Sequence, residues 1–221
     1  MADCQHSTGP HRPAHTTGSA TSPLNASKTA VYTGRVLTSV LDHLTAFRPD
    51  DIDQDVLRTA YIARISDAGD TMLWKGSPEH VTASCFVFSE QLDHILLTFH
   101  KKGQFWVQFG GHLEQADDTL AVSAIREARE ESGIGALTLT GGPVDLDLHR
   151  LGPGFSCAAH WDIGFTAIAE PGAAHAVSDE SESVEWWPVN ALPGNAPADL
   201  SRRVTRAQRA LRDPQPVTDG S

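Results

Sequence analysis

Between Gly110 and Ile134 the chain reads GGHLEQADDTLAVSAIREAREESGI, and this segment constrains the fold more than any other. Glu127, Glu130 and Glu131 stand at i, i+3 and i+4, so a helix carries all three carboxylates on one face. Ala121, Ala124, Ile125 and Ala128 form an apolar stripe on the adjoining face. Asp117, Asp118 and Thr119 offer N-cap side chains, and Gly133 suits the left-handed residue after the helix, with Ile134 as its apolar contact. Gly110 and Gly111 let the backbone turn tightly and approach a ligand closely. Clustered carboxylates beside a packing face suit a hard divalent cation, which prefers oxygen ligands. The plain alternative is a solvated helix face with pairs such as Arg126 and Glu130.

The whole segment resembles the Nudix box: Gly, five residues, Glu, seven residues, Arg-Glu, an apolar residue, any residue, Glu-Glu, any residue, Gly, an apolar residue. Gly111, Arg126-Glu127, Glu130-Glu131 and Gly133-Ile134 match it, with Ala128 a small choice for the apolar place. Two departures stand in the first half. Fourteen residues separate Gly111 from Arg126, one more than the pattern, and Asp117 or Asp118 replaces the first Glu. The register from Arg126 onward is intact, which puts the extra residue in the loop before the helix, between Glu114 and Thr119. The stretch HKKGQFWVQFGGHLE is similar to a bacterial Nudix subgroup in which a Pro commonly stands where this chain has Phe109.

The flanks agree with that resemblance. Val81–Ser89, Ile95–His100 and Phe105–Phe109 are strand-like, with a turn at Gln91–His94. After the box, Ala136–Thr140, Val144–His149, Cys157–Ala169 and Val184–Trp187 read as strands, and Asp199–Arg212 as a basic amphipathic closing helix. Along Cys157–Ala169, His160 and Asp162 fall on one side, Trp161 and Ile163 on the other. The expected class is α+β, a Nudix fold with a mixed sheet sandwiched between helices and an N-terminal helical extension. The expected boundaries are a structureless tail at 1–27, a helical lead-in at 28–77, a Nudix domain at 78–212 and a tail at 213–221. In the lead-in, Val36, Val40, Leu41 and Leu44, then Ile52, Val56, Leu57, Ala60 and Ile65, recur at helical spacing. That pattern serves packing on the core or a homodimer surface. The histidines of the tail, His6, His11 and His15, sit in a polar segment without hydrophobic periodicity.

Composition excludes some classes. A net charge of −11 opposes a nucleic-acid surface, although bound cations still allow a small phosphorylated substrate. No apolar run reaches membrane-spanning length, and the first residues lack the apolar core of a secretory signal. Cys4, Cys85 and Cys157 form no CxxC pair, and Cys85 and Cys157 read as buried thiols, which suits a cytoplasmic protein.

The resemblance implies a metal-dependent hydrolase that cleaves a diphosphate bond by attack of water on phosphorus, with Mg2+ as the cofactor and Mn2+ as an alternative. It implies Glu127, Glu130 and Glu131 as catalytic carboxylates and cation ligands, the Gly111 carbonyl as a further ligand, and Arg126 as the group that orients a box glutamate. A general base is drawn from these or from Asp179, Glu180 and Glu182. Candidate substrate contacts are His112, Lys102, His160 and Glu180, with Lys101, His100 and Trp106 behind them. Two other readings stand beside the hydrolase. A Nudix fold that only binds a ligand would be expected to break the second half of the box, which is whole here. An isomerase of isopentenyl diphosphate would carry a Cys just before Gly-His, where this chain has Gly110 and Gly111.

Overall fold

The computed structural model describes residues 34–152, 156–177 and 181–213. The expected tail at 1–27, the candidates Asp179 and Glu180, and all but the first residue of the tail at 213–221 lie outside the described residues.

Two helices lead in, α1 (Gly34–Ala46) and α2 (Ile52–Ala68), followed by a 3-10 turn at Gly69–Leu73. Eight strands follow: β1 (Glu79–Phe88), β2 (His94–His100), β3 (Phe105–Val107), β4 (Phe109–His112), then β5 (Thr138–Leu139), β6 (Asp145–Arg150), β7 (Ala159–Ile168) and β8 (Ser181–Pro188). The box helix α3 (Leu120–Ser132) sits between β4 and β5, and α4 (Leu200–Arg212) closes the chain. The strands form one mixed sheet in which β1 and β7 run parallel and the other pairs antiparallel.

β1 is central, and its alternation divides the molecule. Val81, Ala83 and the strand partners Trp161 and Ile163 pack with α1, α2 and α3 residues such as Val40, Leu44, Tyr61, Ile65 and Ala124. Cys85 and Val87 continue that face against Ala128 of α3. Phe86 and Phe88 point the other way, into a cluster with Leu200, Val204 and Ala207 of α4. Strand periodicity of two therefore supplies both walls of a three-layer arrangement.

The lead-in is tied to the core by polar bonds as well. The buried Gln54 side chain donates to the Leu146 carbonyl and accepts from the Leu146 amide, so it caps the free edge of β6 as another strand would. On the opposite layer, the buried Arg203 of α4 donates to Asp145, Asp147 and Asp162 on β6 and β7. The expected basic helix is therefore held by acids that the strand pattern does not announce.

Three expectations need correction. The strand foreseen at Phe105–Phe109 is two, because at Gln108 the chain leaves β2 and begins to pair with β1. The two glycines foreseen as a tight turn lie inside β4 with ordinary strand pairing, and neither has a positive φ. Their role is close approach: a Cβ at Gly110 would stand 2.8 Å from the Ser84 Cα, and one at Gly111 would stand 2.5 Å from the Glu127 carboxyl. Cys85 is a buried free thiol that burial keeps protonated, but Cys157 is disulfide-bonded. CxxC spacing reports only pairs close in sequence, so the cysteine pattern does not fix the compartment.

Candidate active site

The extra box residue leaves α3 undisturbed. The helix begins at Leu120, the Thr119 hydroxyl caps it by accepting from the Val122 amide, and Gly133 closes it with φ 71°. Asp117 is not a cap. Its carboxylate accepts from the Glu114 amide and the Ser123 hydroxyl, closing a compact turn between β4 and α3. Five residues separate Gly111 from Asp117, as the family pattern asks, so Asp117 stands for the missing first glutamate and the extra residue follows it.

Arg126 organises what surrounds it. Nε and Nη2 make a two-pronged contact with Asp117 at 3.0 and 2.9 Å, and Nη2 also donates to the His112 carbonyl at 3.0 Å. Nη1 donates to Glu127 at 2.9 Å and to Glu130 at 3.1 Å. The planar fork of arginine can address loop, strand and helix together, which a lysine point charge cannot. Burial pushes the Asp117 carboxyl up, but hydrogen bonds from Arg126, the Glu114 amide and Ser123 outweigh it and hold it below the usual range.

The three box glutamates are not equivalent. Glu127 and Glu131 are buried at the sheet, whereas Glu130 is exposed and paired with Arg126. Glu131 accepts from the Gly110 amide at 3.1 Å, and Glu127 lies against Gly111. Burial pushes the Glu127 carboxyl up; Arg126 offsets part of this and Glu131 adds to it, leaving it at about 7. Three carboxylates (Asp117, Glu127, Glu130) thus gather around one guanidinium, and the two buried glutamates, Glu127 and Glu131, repel each other. Buried, oxygen-rich and short of positive charge, this donor set fits a divalent cation.

The other candidates lie elsewhere. Paired residues on β1 and β4 share a face: Ala83 with Gly111 towards α3, Thr82 with His112 away from it. The His112 ring and the His160 ring, which pairs across β1 and β7 with His80, are thus on the face opposite the glutamates. The two rings lie 5.4 Å apart, centroid to centroid, and both are buried. Burial and then the neighbouring His80 push each down to about 3, so all these rings are neutral at pH 7. Lys102 is exposed in the turn between β2 and β3. Trp106 packs edge-on against Trp187 in the core, so its ring is not offered to a base. Glu182 is exposed and accepts from Gln104.

Sequence reasoning missed His80 and the Arg203 cluster. The signal for His80 was present in β1, where His80, Thr82 and Ser84 alternate with apolar residues, but only the parallel register with β7 sets it beside His160. A cavity of ≈ 200 Å³ between α2, β6 and α4 is remote from the glutamates, and its Arg203 and Arg206 are already bound to acids.

Comparison with known proteins accords with this geometry. The family model for the NUDIX domain matches residues 78–208, and the chain belongs to that family. Among solved structures it resembles a NUDIX-family hydrolase from Clostridium perfringens, with TM-score 0.51 and 24% identity over 60% of this chain and 97% of that one. It also resembles an Ap4A hydrolase from C. elegans, with TM-score 0.52 and 17% identity over 60% of this chain and 97% of the other. A MutT protein from Methanosarcina mazei Go1 aligns with TM-score 0.50 and 19% identity, over 61% of this chain and 96% of that one. No curated protein matches the chain. Among the described residues, no helix is long and apolar enough to cross a membrane.

Proposed function

We propose that this chain is a cation-dependent Nudix pyrophosphohydrolase that cleaves a diphosphate bond in a nucleoside diphosphate-linked or related small molecule. The observation that carries the reading is the buried Glu127–Glu131 pair on Gly110-Gly111, held by an arginine whose five N–H groups are all engaged. Glu127 and Glu131, with the Gly111 carbonyl, would hold Mg2+ or Mn2+. Once bound, such an ion clamps phosphate oxygens and lowers the pKa of a coordinated water. The protein supplies position. Glu131 is fixed by the Gly110 amide, and Glu127 by Arg126. Glu130, exposed at the rim and 3.1 Å from Arg126, is free of the sheet and so is suited to accept the proton of the attacking water.

The test is release of phosphate or nucleotide from a panel of diphosphates with Mg2+ and with Mn2+. Glu131→Gln keeps shape and removes charge, so turnover should fall by about 10²–10⁴-fold while the melting temperature does not fall. Undiminished hydrolysis in that variant, or in excess chelator, would refute the proposal.

A further inference from the structure

We propose a second metal site, built from nitrogen and not oxygen, on the sheet face opposite the glutamates: His80, His112 and His160 together bind one zinc-class divalent ion. The three residues come from β1, β4 and β7, and each can place a ring nitrogen within 4.8 Å of the other two. The ring centroids of His80 lie 4.8 Å from those of His112 and 4.9 Å from those of His160. A tetrahedral zinc with bonds of about 2.0–2.1 Å sets its nitrogens about 3.3 Å apart, so small side-chain rotations close the site.

Two observations separate this cluster from an ordinary set of core histidines. The first is that Nε2 of His80 and Nε2 of His112 are buried with no hydrogen-bond partner. A buried polar atom left without a partner loses its hydration and gains nothing in return, so two in one cluster call for a ligand. The second is tautomer control. His80 Nδ1 lies 3.0 Å from the Ser77 carbonyl, which can only accept, so Nδ1 carries the proton and Nε2 presents a lone pair. A backbone carbonyl fixing the far nitrogen is the usual support of a metal-bound histidine. Imidazole selects zinc, copper, nickel or iron over magnesium, so the two sites would not compete for the same ion.

Three ligands leave one coordination position. Cys157 borders the cluster, its Sγ 3.4 Å from His160 Nε2, but as a disulfide it offers no thiolate. The position therefore falls to water or to a small anion.

The experiment is Zn2+ titration of the chelator-treated full chain in excess Mg2+, read by competition with a chromophoric chelator. One equivalent should bind, and Glu127→Gln/Glu131→Gln should leave that affinity unchanged. His80→Gln/His160→Gln should weaken it by at least about 100-fold, because one imidazole cannot replace three. The outcome is independent of whether the protein hydrolyses anything. The proposal is overturned by absence of Zn2+ binding in Mg2+, by loss of binding in the glutamate variant, or by full binding in the histidine variant. Full binding there would assign the metal elsewhere, such as His6, His11 and His15. If the histidine variant does not fold, Co2+ on the wild-type chain decides. Intense visible bands of four- or five-coordinate Co2+ are expected, and only the faint spectrum of six-coordinate Co2+ would refute the site.

Discussion

Among the box carboxylates, Glu127 is the one whose surroundings push it furthest towards the neutral form. Its carboxyl stands at about 7 in the folded chain, against 4.5 for an ordinary glutamate. Between those values the folded state holds a proton that the unfolded state has released, so this group's contribution to stability falls as pH rises from about 4.5 through 7. The buried His112 and His160 act in the opposite sense, because their folded values lie far below that of a free imidazole. The clean measurement is therefore a difference. Without metal, Glu127→Gln should melt above the wild type by about 2–6 °C at pH 8, the gap closing towards pH 5. A gap that is absent at pH 8, or that widens towards pH 5, would show that the Glu127–Glu131 repulsion is not as described. Saturating Mg2+ should narrow the gap by stabilising only the wild type.

At the scale of elements, the β4-to-α3 connection sets the glutamates. β4 contributes no side chain at Gly111, which lets the helix lie against bare backbone, while at Gly110 the space saved is beside Ser84 of β1. Gly111→Ala would drive a methyl group into the Glu127 carboxyl at 2.5 Å. The carboxyl must swing away, so Mg2+-dependent turnover should fall by about 10–100-fold with the helix still formed by circular dichroism. An Ala variant with wild-type kinetics would show that Glu127 has room to spare. The box helix was legible in the sequence because caps, apolar stripe and acids all follow local spacing. The short β4 was not legible, since strand pairing rather than residue type turns a Gly-Gly pair from a loop into a strand. The same holds for the splitting of the glutamates into two buried and one exposed: i, i+3, i+4 spacing puts them on one face, and only the sheet decides which of them it covers.

On the scale of the whole molecule, the lead-in helices are integral to the fold. Val36, Val40, Leu44, Tyr61 and Ile65 are fully buried against strands that the family match includes. Removing residues 1–77 would strip that layer from Val81, Ala83, Trp161 and Ile163 and leave the Leu146 amide of β6 without Gln54. Such a product should be insoluble or melt more than about 10 °C below the full chain. In a Cys157→Ser background, which removes the disulfide beforehand, deleting residues 1–26 should change neither melting temperature nor turnover, as expected for a polar segment with no apolar periodicity. Equal stability of both products would make the lead-in an appendage. The helical spacing of the lead-in was readable in the sequence. Its docking partner was not, because Gln54 and Leu146 meet only through tertiary structure.

One strand thick, the wall at β4 also dictates where this chain tolerates a change in length. Because neighbouring residues of β4 face opposite layers, one residue added inside it would send the His112 ring towards the carboxylates and a glycine towards the histidines. The link from Asp117 to the start of α3 at Leu120 has no such parity, and that is where the chain's surplus residue already sits. Lineages of this fold should therefore gain and lose residues between Asp117 and Leu120 while holding Phe109–His112 at constant length. Deleting Asp118 should leave turnover within about threefold, whereas an Ala inserted after Gly110 should abolish it. The first indel is a local repair; the second is a change of address for every side chain beyond it in the strand.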